Sequence, residues 1–327
     1  MDSSDPFNLA QFPFHDGMHI VSAPQIFEGG EESYDQHIGG ARREDLLRCG
    51  RGAWQIATRY AGRRLETILE IGAGGGTCSL GLIAVAEGAR VLITDTSPSF
   101  LRMIGAKLSA AGIDQGGVGF ATLAGEDLGK LRTESFDAIV IASALHHVGD
   151  WRAFMRDAAR TLRRGGTLVI QEPCREGNLM MAMALDVALS ELWPKDAMLS
   201  GEDTQRLQNC RDSIYFLADT RTVKVGEDKH SFLANELATA ADEAGFVRSV
   251  FYSNFHFQDL ADADLSRRQG TASFVGYLDS FLEHHHRVSA DGLAKLRTHL
   301  FPALNRIDAT FIAGDGAPLL GCMAFCR

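Results

Sequence analysis

The feature that most constrains this chain is an alternation. From Leu65 to Pro173, short runs rich in Leu, Ile and Val give way repeatedly to longer stretches with helical spacing. Strands separated by helices cannot pair as hairpins, so they line up in parallel with the helices on the sheet faces. The pattern predicts strands at Thr67 to Ile71, Arg90 to Thr94, Val118 to Leu123, Asp137 to Ser143 and Thr167 to Gln171. Farther on, a Ser231 start precedes Asn235 to Ala244, whose apolar residues share one helical face, and Gly245 stops that helix before a strand at Phe246 to Phe251. A last strand, Leu319 to Phe325, follows a turn signal at Gly314 to Gly316.

Several classes of protein are excluded by composition. The chain has 327 residues, 45% hydrophobic and 23% charged, which suits a packed core rather than a disordered tail. Its formal charge of -10, with no dense Lys/Arg run, argues against nucleic acid as a partner, because that affinity comes from clustered cations. No apolar stretch approaches the ~18 residues that span a bilayer, so no membrane partner is expected. Asp2 and Asp5 stand where a secretory signal would be basic. Six scattered cysteines lack a CxxC pair, and a cytoplasmic protein with reduced thiols is expected.

The strongest local signal is the run Leu69-Glu70-Ile71-Gly72-Ala73-Gly74-Gly75-Gly76-Thr77. Glycines between a strand and a helix let backbone approach a ligand closely, and they also relieve crowding. A dinucleotide fingerprint would need glycine where Thr77 stands, and no Gly-Lys-Ser/Thr marks a phosphate loop. Asp95, followed by Thr96, lies at the end of the second strand, where a ribose would present both hydroxyls; its other use is to cap the next helix. After the third strand, Glu126 is the first choice to accept from an adenine amino group, with Asp127 beside it; either can be a solvated loop charge instead. The fourth strand leads to Ser143 and then to Leu145-His146-His147-Val148, and the fifth ends at Glu172.

In order and spacing, the glycine turn, Asp95, Gly125-Glu126, Phe136-Asp137, Leu145 to Val148 and Leu162 to Gly166 resemble the class I S-adenosylmethionine-dependent methyltransferases. The resemblance covers residues 50 to 173 and, more loosely, Ala244-Gly245-Phe246 and the final strand. It implies an α/β fold: a Rossmann-like, doubly wound sheet of seven strands, the last antiparallel, with mainly helical cap insertions. The implied divisions are an N-terminal helical or lid segment at 1–64, the cofactor-binding core at 65–173, a cap insertion at 174–230, a core helix and strand at 231–253, a second cap at 254–315 and the final strand at 316–327. The implied cofactor is S-adenosylmethionine, leaving S-adenosylhomocysteine. Gly72, Ala73, Gly74 and Gly76 would pass beside its amino-acid part, Glu70 would hold the turn or the amino group, Asp95 and Thr96 the ribose, and Glu126 and Asp127 the adenine. Ser143 is counted with these residues, and Tyr34 would close over the cofactor from a lid. The Asn/Asp-Pro-Pro-Tyr/Phe signature of adenine and glutamine amino-group methylation is missing after the fourth strand.

Methyl transfer is an in-line displacement at an already activated carbon, so the enzyme must mainly align the acceptor and remove its proton. His146 is the expected general base, His147 the second choice, and Glu172 the group that orients or shares the proton. No metal is expected, and His284, His285 and His286 cannot all face one ion from a helix. The acceptor is expected to be a small molecule methylated on O, N or C, under a cap rich in Phe and Met; Met180, Met181 and Met183 would line the pocket or form core. The same apolar helices suit a homodimer contact. Two other readings are a cofactor-binding regulatory protein or non-methylating sulfonium enzyme of the same fold, and a protein-directed methyltransferase.

Overall fold

The computed structural model describes residues 7–26, 30–32, 35, 43–86, 88–190, 193–221, 224, 228–253, 274–313 and 320–327. Among these residues one sheet holds nine strands: β1 (Phe14–His15), β2 (Met18–Ile20), β3 (Thr67–Ile71), β4 (Arg90–Asp95), β5 (Val118–Thr122), β6 (Phe136–Ala142), β7 (Leu162–Pro173), β8 (Arg248–Ser253) and β9 (Leu320–Cys326). Their order is β1-β2-β5-β4-β3-β6-β7-β9-β8. β3 pairs in parallel with both β4 and β6, so the strand order reverses there and a crevice opens at the carboxyl ends. β9 runs antiparallel between β7 and β8, as the resemblance implies for the last strand.

The sheet exceeds the expected seven strands by the β1–β2 hairpin, whose second strand adds in parallel to β5. Its turn uses Asp16 and Gly17, both at positive φ, the conformation that a two-residue hairpin turn requires. Strands this short show no alternation, which is why the sequence pattern passes over them.

Side-chain alternation sorts the core into two layers. Leu69, Ile71, Ile139, Ile141, Leu168 and Ile170 point to one face, against helix α4 (Trp151–Thr161) and helix α7 (Ala234–Ala244). Ile68, Val91, Ile93, Ala138, Val140 and Val169 point to the other, against α1 (Arg43–Tyr60), α2 (Ser79–Val85) and α3 (Pro98–Ala110). A third apolar cluster joins α5 (Arg175–Ala188), α6 (Gly201–Ala218), α8 (Phe274–His284), α9 (Ala290–His299) and α10 (Phe301–Ala313). Met181 is buried in that cluster whereas Met183 is 64% exposed, so the methionines do not act as one pocket wall.

Local caps explain where the helices begin and end. Ser97 accepts from the Phe100 amide with Pro98 at the first helical position, and Asp150 accepts from the Ala153 amide at 2.9 Å. Gly245 ends α7 in the left-handed conformation at φ 91°. Ser231 does not cap α7 as expected; Glu236 accepts from the Leu233 amide at 3.0 Å and does that work from inside the helix. The turn at 314–316 lies outside the described residues.

At the amino ends of the strands, Asp137 is fully buried. It accepts from the amides of Glu66 and Thr67, each at 2.9 Å, and pairs with Arg63 at 2.7 Å and Arg163 at 3.0 Å. Burial alone would raise its carboxyl, but these amides and the Arg163 guanidinium hold it below its ordinary value. Its contribution to stability is therefore present above the ordinary carboxylate range and lost as pH falls through the lowered value. Asp137→Ala is expected to cost about 1–3 kcal/mol at pH 7, because it leaves the Glu66 and Thr67 amides without their acceptor while the two arginines, partly exposed, can turn to solvent. Urea unfolding at pH 7 and pH 3 checks this: the gap should shrink in acid, and a loss below about 1 kcal/mol at pH 7 would leave the pairs with no structural role.

Candidate active site

The glycine turn after β3 needs backbone that only glycine adopts easily. Gly72, Gly74 and Gly76 have φ of 68°, 49° and 88°. A Cβ on Gly72 would lie 2.4 Å from the Cβ of Ala144, so the turn seats directly on the exit of β6. The Ala73 amide donates to the Thr94 carbonyl at 3.0 Å, and the Gly74 amide to Asp95 Oδ2 at 2.9 Å.

Asp95 thus joins the two loops. Its Oδ1 accepts from the Ser97 amide at 2.8 Å, so it stabilises the start of α3. Burial raises its carboxyl despite the amides of Ser97, Gly74 and Thr96. Thr96 turns its carbonyl to the Gln25 amide at 2.9 Å. Glu70 lies deeper, 2% exposed, and its Oε2 has no hydrogen-bond partner among the described residues. Burial, with the charge of Asp95 adding to it, pushes its carboxyl up to about 8.

The loop after β5 is a short 3₁₀ helix, Gly125–Lys130. Glu126 is exposed and accepts from the Gly149 amide at 2.7 Å, which ties this loop to the one after β6. Asp127 is committed to structure: it accepts from Ser22 Oγ at 2.7 Å and Lys130 Nζ at 2.8 Å. Burial would raise its carboxyl, but these bonds hold it below the usual range. Ser22 carries no sequence signal, since its partner is reached only through the β2–β5 pairing.

Tyr34 lies outside the described residues. Neighbouring parts of the same segment do reach the site: Glu31 accepts from Ser97 Oγ at 2.7 Å, and Lys107 bridges Asp35 and the Gly75 carbonyl.

At the exit of β6, Ser143 is held at φ 52°, an unusual conformation for serine, by its amide bond to the Gln171 carbonyl at 2.8 Å. The chain then forms a short 3₁₀ helix, Leu145–His147. Buried Glu172 organises it: Oε1 accepts from the amides of Ala144 at 2.9 Å and Leu145 at 2.6 Å, while Oε2 lies 2.6 Å from His146 Nδ1. His146 Nε2 faces Asp228 at 3.4 Å, and His147 Nδ1 lies 3.5 Å from the same oxygen. Asp228 is a residue that sequence reasoning missed. It is carried here because the Lys229 and His230 amides donate to the His146 carbonyl at 2.9 and 3.2 Å.

Burial disfavours charge on His146, yet the Glu172 charge and the Asp228 bond outweigh it and push the imidazole up to about 10. A carboxylate facing each ring nitrogen favours the charged form of His146.

The fold and this convergence of strand-end acids and glycines define a class of enzyme. Residues 69–170 match a family model described as a methyltransferase domain. The demethylmenaquinone methyltransferase of Clavibacter sepedonicus is 28% identical over 201 residues, 61% of this chain and 77% of its own length. The ubiquinone/menaquinone biosynthesis C-methyltransferase UbiE of Cellvibrio japonicus (strain Ueda107) is 26% identical over 251 residues, 76% of this chain and 91% of its own. Among solved structures, the Haemonchus contortus phosphoethanolamine N-methyltransferase 2 in complex with S-adenosyl-L-methionine has a TM-score of 0.48 at 15% identity, covering 92% of this chain and 57% of that one.

Residues 69–170 carry a methyltransferase domain, and the chain is an S-adenosylmethionine-dependent methyltransferase similar to these enzymes. Its cofactor is S-adenosylmethionine. The residues present fit that molecule: it carries a cationic amino group, and Glu70 is a buried carboxylate with an oxygen left unpartnered beside a turn that no Cβ obstructs. Among the described residues no helix is long and apolar enough to cross a membrane.

Glu70 makes a signed prediction. A carboxyl raised from 4.5 to about 8 contributes stability that is full below the unfolded value and lost as pH climbs through the folded one. Glu70→Gln, neutral throughout, should therefore gain on the wild type between these values and level off above. Thermal unfolding without cofactor should show the variant ahead by about 5 °C at pH 8.5 and level with wild type at pH 4.5. A difference that stays flat with pH would mean that Glu70 is not held protonated by burial.

Proposed function

We propose that this enzyme methylates a small-molecule acceptor, a hydroxylated ring of the quinol type, at a ring carbon. The observation that carries this reading is the His146 imidazole, fixed from behind by buried Glu172 and faced by Asp228 at the strand ends beside the glycine turn. The relatives named as quinone C-methyltransferases support the acceptor class.

When bound, S-adenosylmethionine supplies a methyl carbon activated by a positively charged sulfur. Glu70 would hold the cofactor's amino group, Gly72, Ala73, Gly74 and Gly76 would bring backbone against its amino-acid part, Asp95 with Thr96 would take the ribose, and Glu126 would accept from the adenine amino group. Ser143 lines the wall between the cofactor and the acceptor. Asp228 accepts the proton of the ring hydroxyl, and the His146 ring, whose charge Glu172 favours from behind, offsets the charge on the oxygen left behind. An ionised ring oxygen pushes electron density onto the neighbouring carbon, which takes the methyl group as its bond to sulfur breaks and S-adenosylhomocysteine leaves; that carbon then loses its own proton, which restores the aromatic ring and its ionised oxygen. Glu172 is the positioning residue for His146, and His147, its ring centroid 4.0 Å from that of His146, closes one side.

The test uses a prenylated hydroquinone and its dimethyl ether with S-adenosylmethionine, products being located by NMR. The hydroquinone should gain a methyl group on a ring carbon, and the ether, which has no hydroxyl proton, should be inert. Calorimetry should show that Asp95→Ala loses cofactor binding, while His146→Ala keeps it and lowers kcat about 100-fold or more. Methylation on oxygen, or equal turnover of the ether, would refute the reading.

A further inference from the structure

We propose that His146, His147 and Asp228 form a binding site for a divalent transition-metal ion such as zinc, with one coordination position open toward the acceptor. This departs from the expectation that no metal takes part.

The geometry is already close to a coordination sphere. His146 Nε2 and His147 Nδ1 lie 3.4 and 3.5 Å from Asp228 Oδ1, and the cluster's three ligand atoms all fall within 4.8 Å of one another. Bonds of 2.0–2.2 Å to a tetrahedral ion place ligand atoms about 3.3 Å apart, so two of three edges are nearly formed. Adjacent histidines cannot converge on one ion from a regular helix. Here they lie in a three-residue 3₁₀ helix entered from Ala144 at φ -140° and left through extended Val148, which brings the rings together.

The second line of evidence lies behind the ligands. Metal-bound histidines commonly donate their other ring nitrogen to a carboxylate, which fixes the tautomer and aims the free nitrogen. His146 does this to Glu172, 2% exposed, at 2.6 Å, and Glu172 is itself locked by two backbone amides. Asp228 is pinned opposite by two amide bonds to the His146 carbonyl. Two imidazoles and one carboxylate favour zinc, iron, cobalt or manganese over magnesium or calcium. In the metal-free protein a proton on His146 Nε2 satisfies Asp228; binding places the ion there and releases that proton to solvent.

The ion's role rests only on the acceptor class proposed above: in the loaded site the ion, replacing the His146 proton and the Asp228 base, would take the ring oxygen at its open position and favour the ionised form. The site itself does not depend on that reading. The test is titration of EDTA-treated, dialysed protein with cobalt(II), followed by visible absorption, and with zinc by calorimetry. One ion per chain should bind at micromolar Kd or tighter. Asp228→Asn and His146→Gln should weaken it at least about 100-fold, and Glu172→Gln about 10- to 100-fold. His284→Ala, in α8, should leave it unchanged, and circular dichroism with S-adenosylmethionine titration confirms that each variant is folded. Binding no tighter than millimolar, or insensitive to Asp228→Asn, overturns the site. Metal binding without turnover of the hydroquinone sinks the acceptor reading and leaves the site standing; full turnover by protein that binds no metal does the reverse.

Discussion

Parallel strands deliver all their outgoing loops to one end of the sheet, and the reversal of order at β3 decides which of them meet. The loops after β3 and β6 leave from neighbouring strands toward opposite faces, and they touch where Gly72 lies against Ala144. That contact has no room for a side chain. It brings the glycine turn within two residues of His146, so the places proposed for cofactor and acceptor are set by one backbone approach.

The two ends of the same strands treat buried carboxylates in opposite ways. At the amino ends Asp137 is surrounded by donors and two arginines, and its carboxyl is held low. At the carboxyl ends Glu70 and Asp95 are buried near each other without a cation, and both are raised. The first arrangement stabilises the fold; the second is destabilising until something positive arrives. Binding energy from a cationic ligand is then largest where the empty fold is least satisfied, a common distribution for sites that must discriminate.

What the sequence reveals follows from the range of each interaction. Strands β3 to β7 are legible because alternation and helical spacing are local, as is the Gly245 stop, whereas the helix after β4 is capped by Ser97 and not by Asp95. The β1–β2 hairpin is too short to show a period, and Ser231 misleads because Glu236 caps α7 from within. The glycine turn and the placement of Glu172 beside His146 are visible through motif order. The preference of His146 for its charged form is not, because it depends on Asp228, which arrives only through backbone bonds from Lys229 and His230. Asp127 is the converse case: its residue type suits a ligand, yet Ser22 and Lys130 already use it.

The segment that carries Asp228 also marks the return of the chain from cap to core. α5 leaves directly from the end of β7, and Arg175 at its start reaches both Glu236 in α7 and the Ser231 carbonyl. The cap helices α5, α6, α8, α9 and α10 pack around an apolar core of their own, separate from the two layers on the sheet. The sheet fixes the glycine turn and the Glu172–His146 pair by backbone geometry, whereas Asp228 comes with the chain that returns from these helices. Because Asp228 hangs from the junction rather than from a strand, the charge facing the acceptor is the part of the site most directly coupled to how the cap sits.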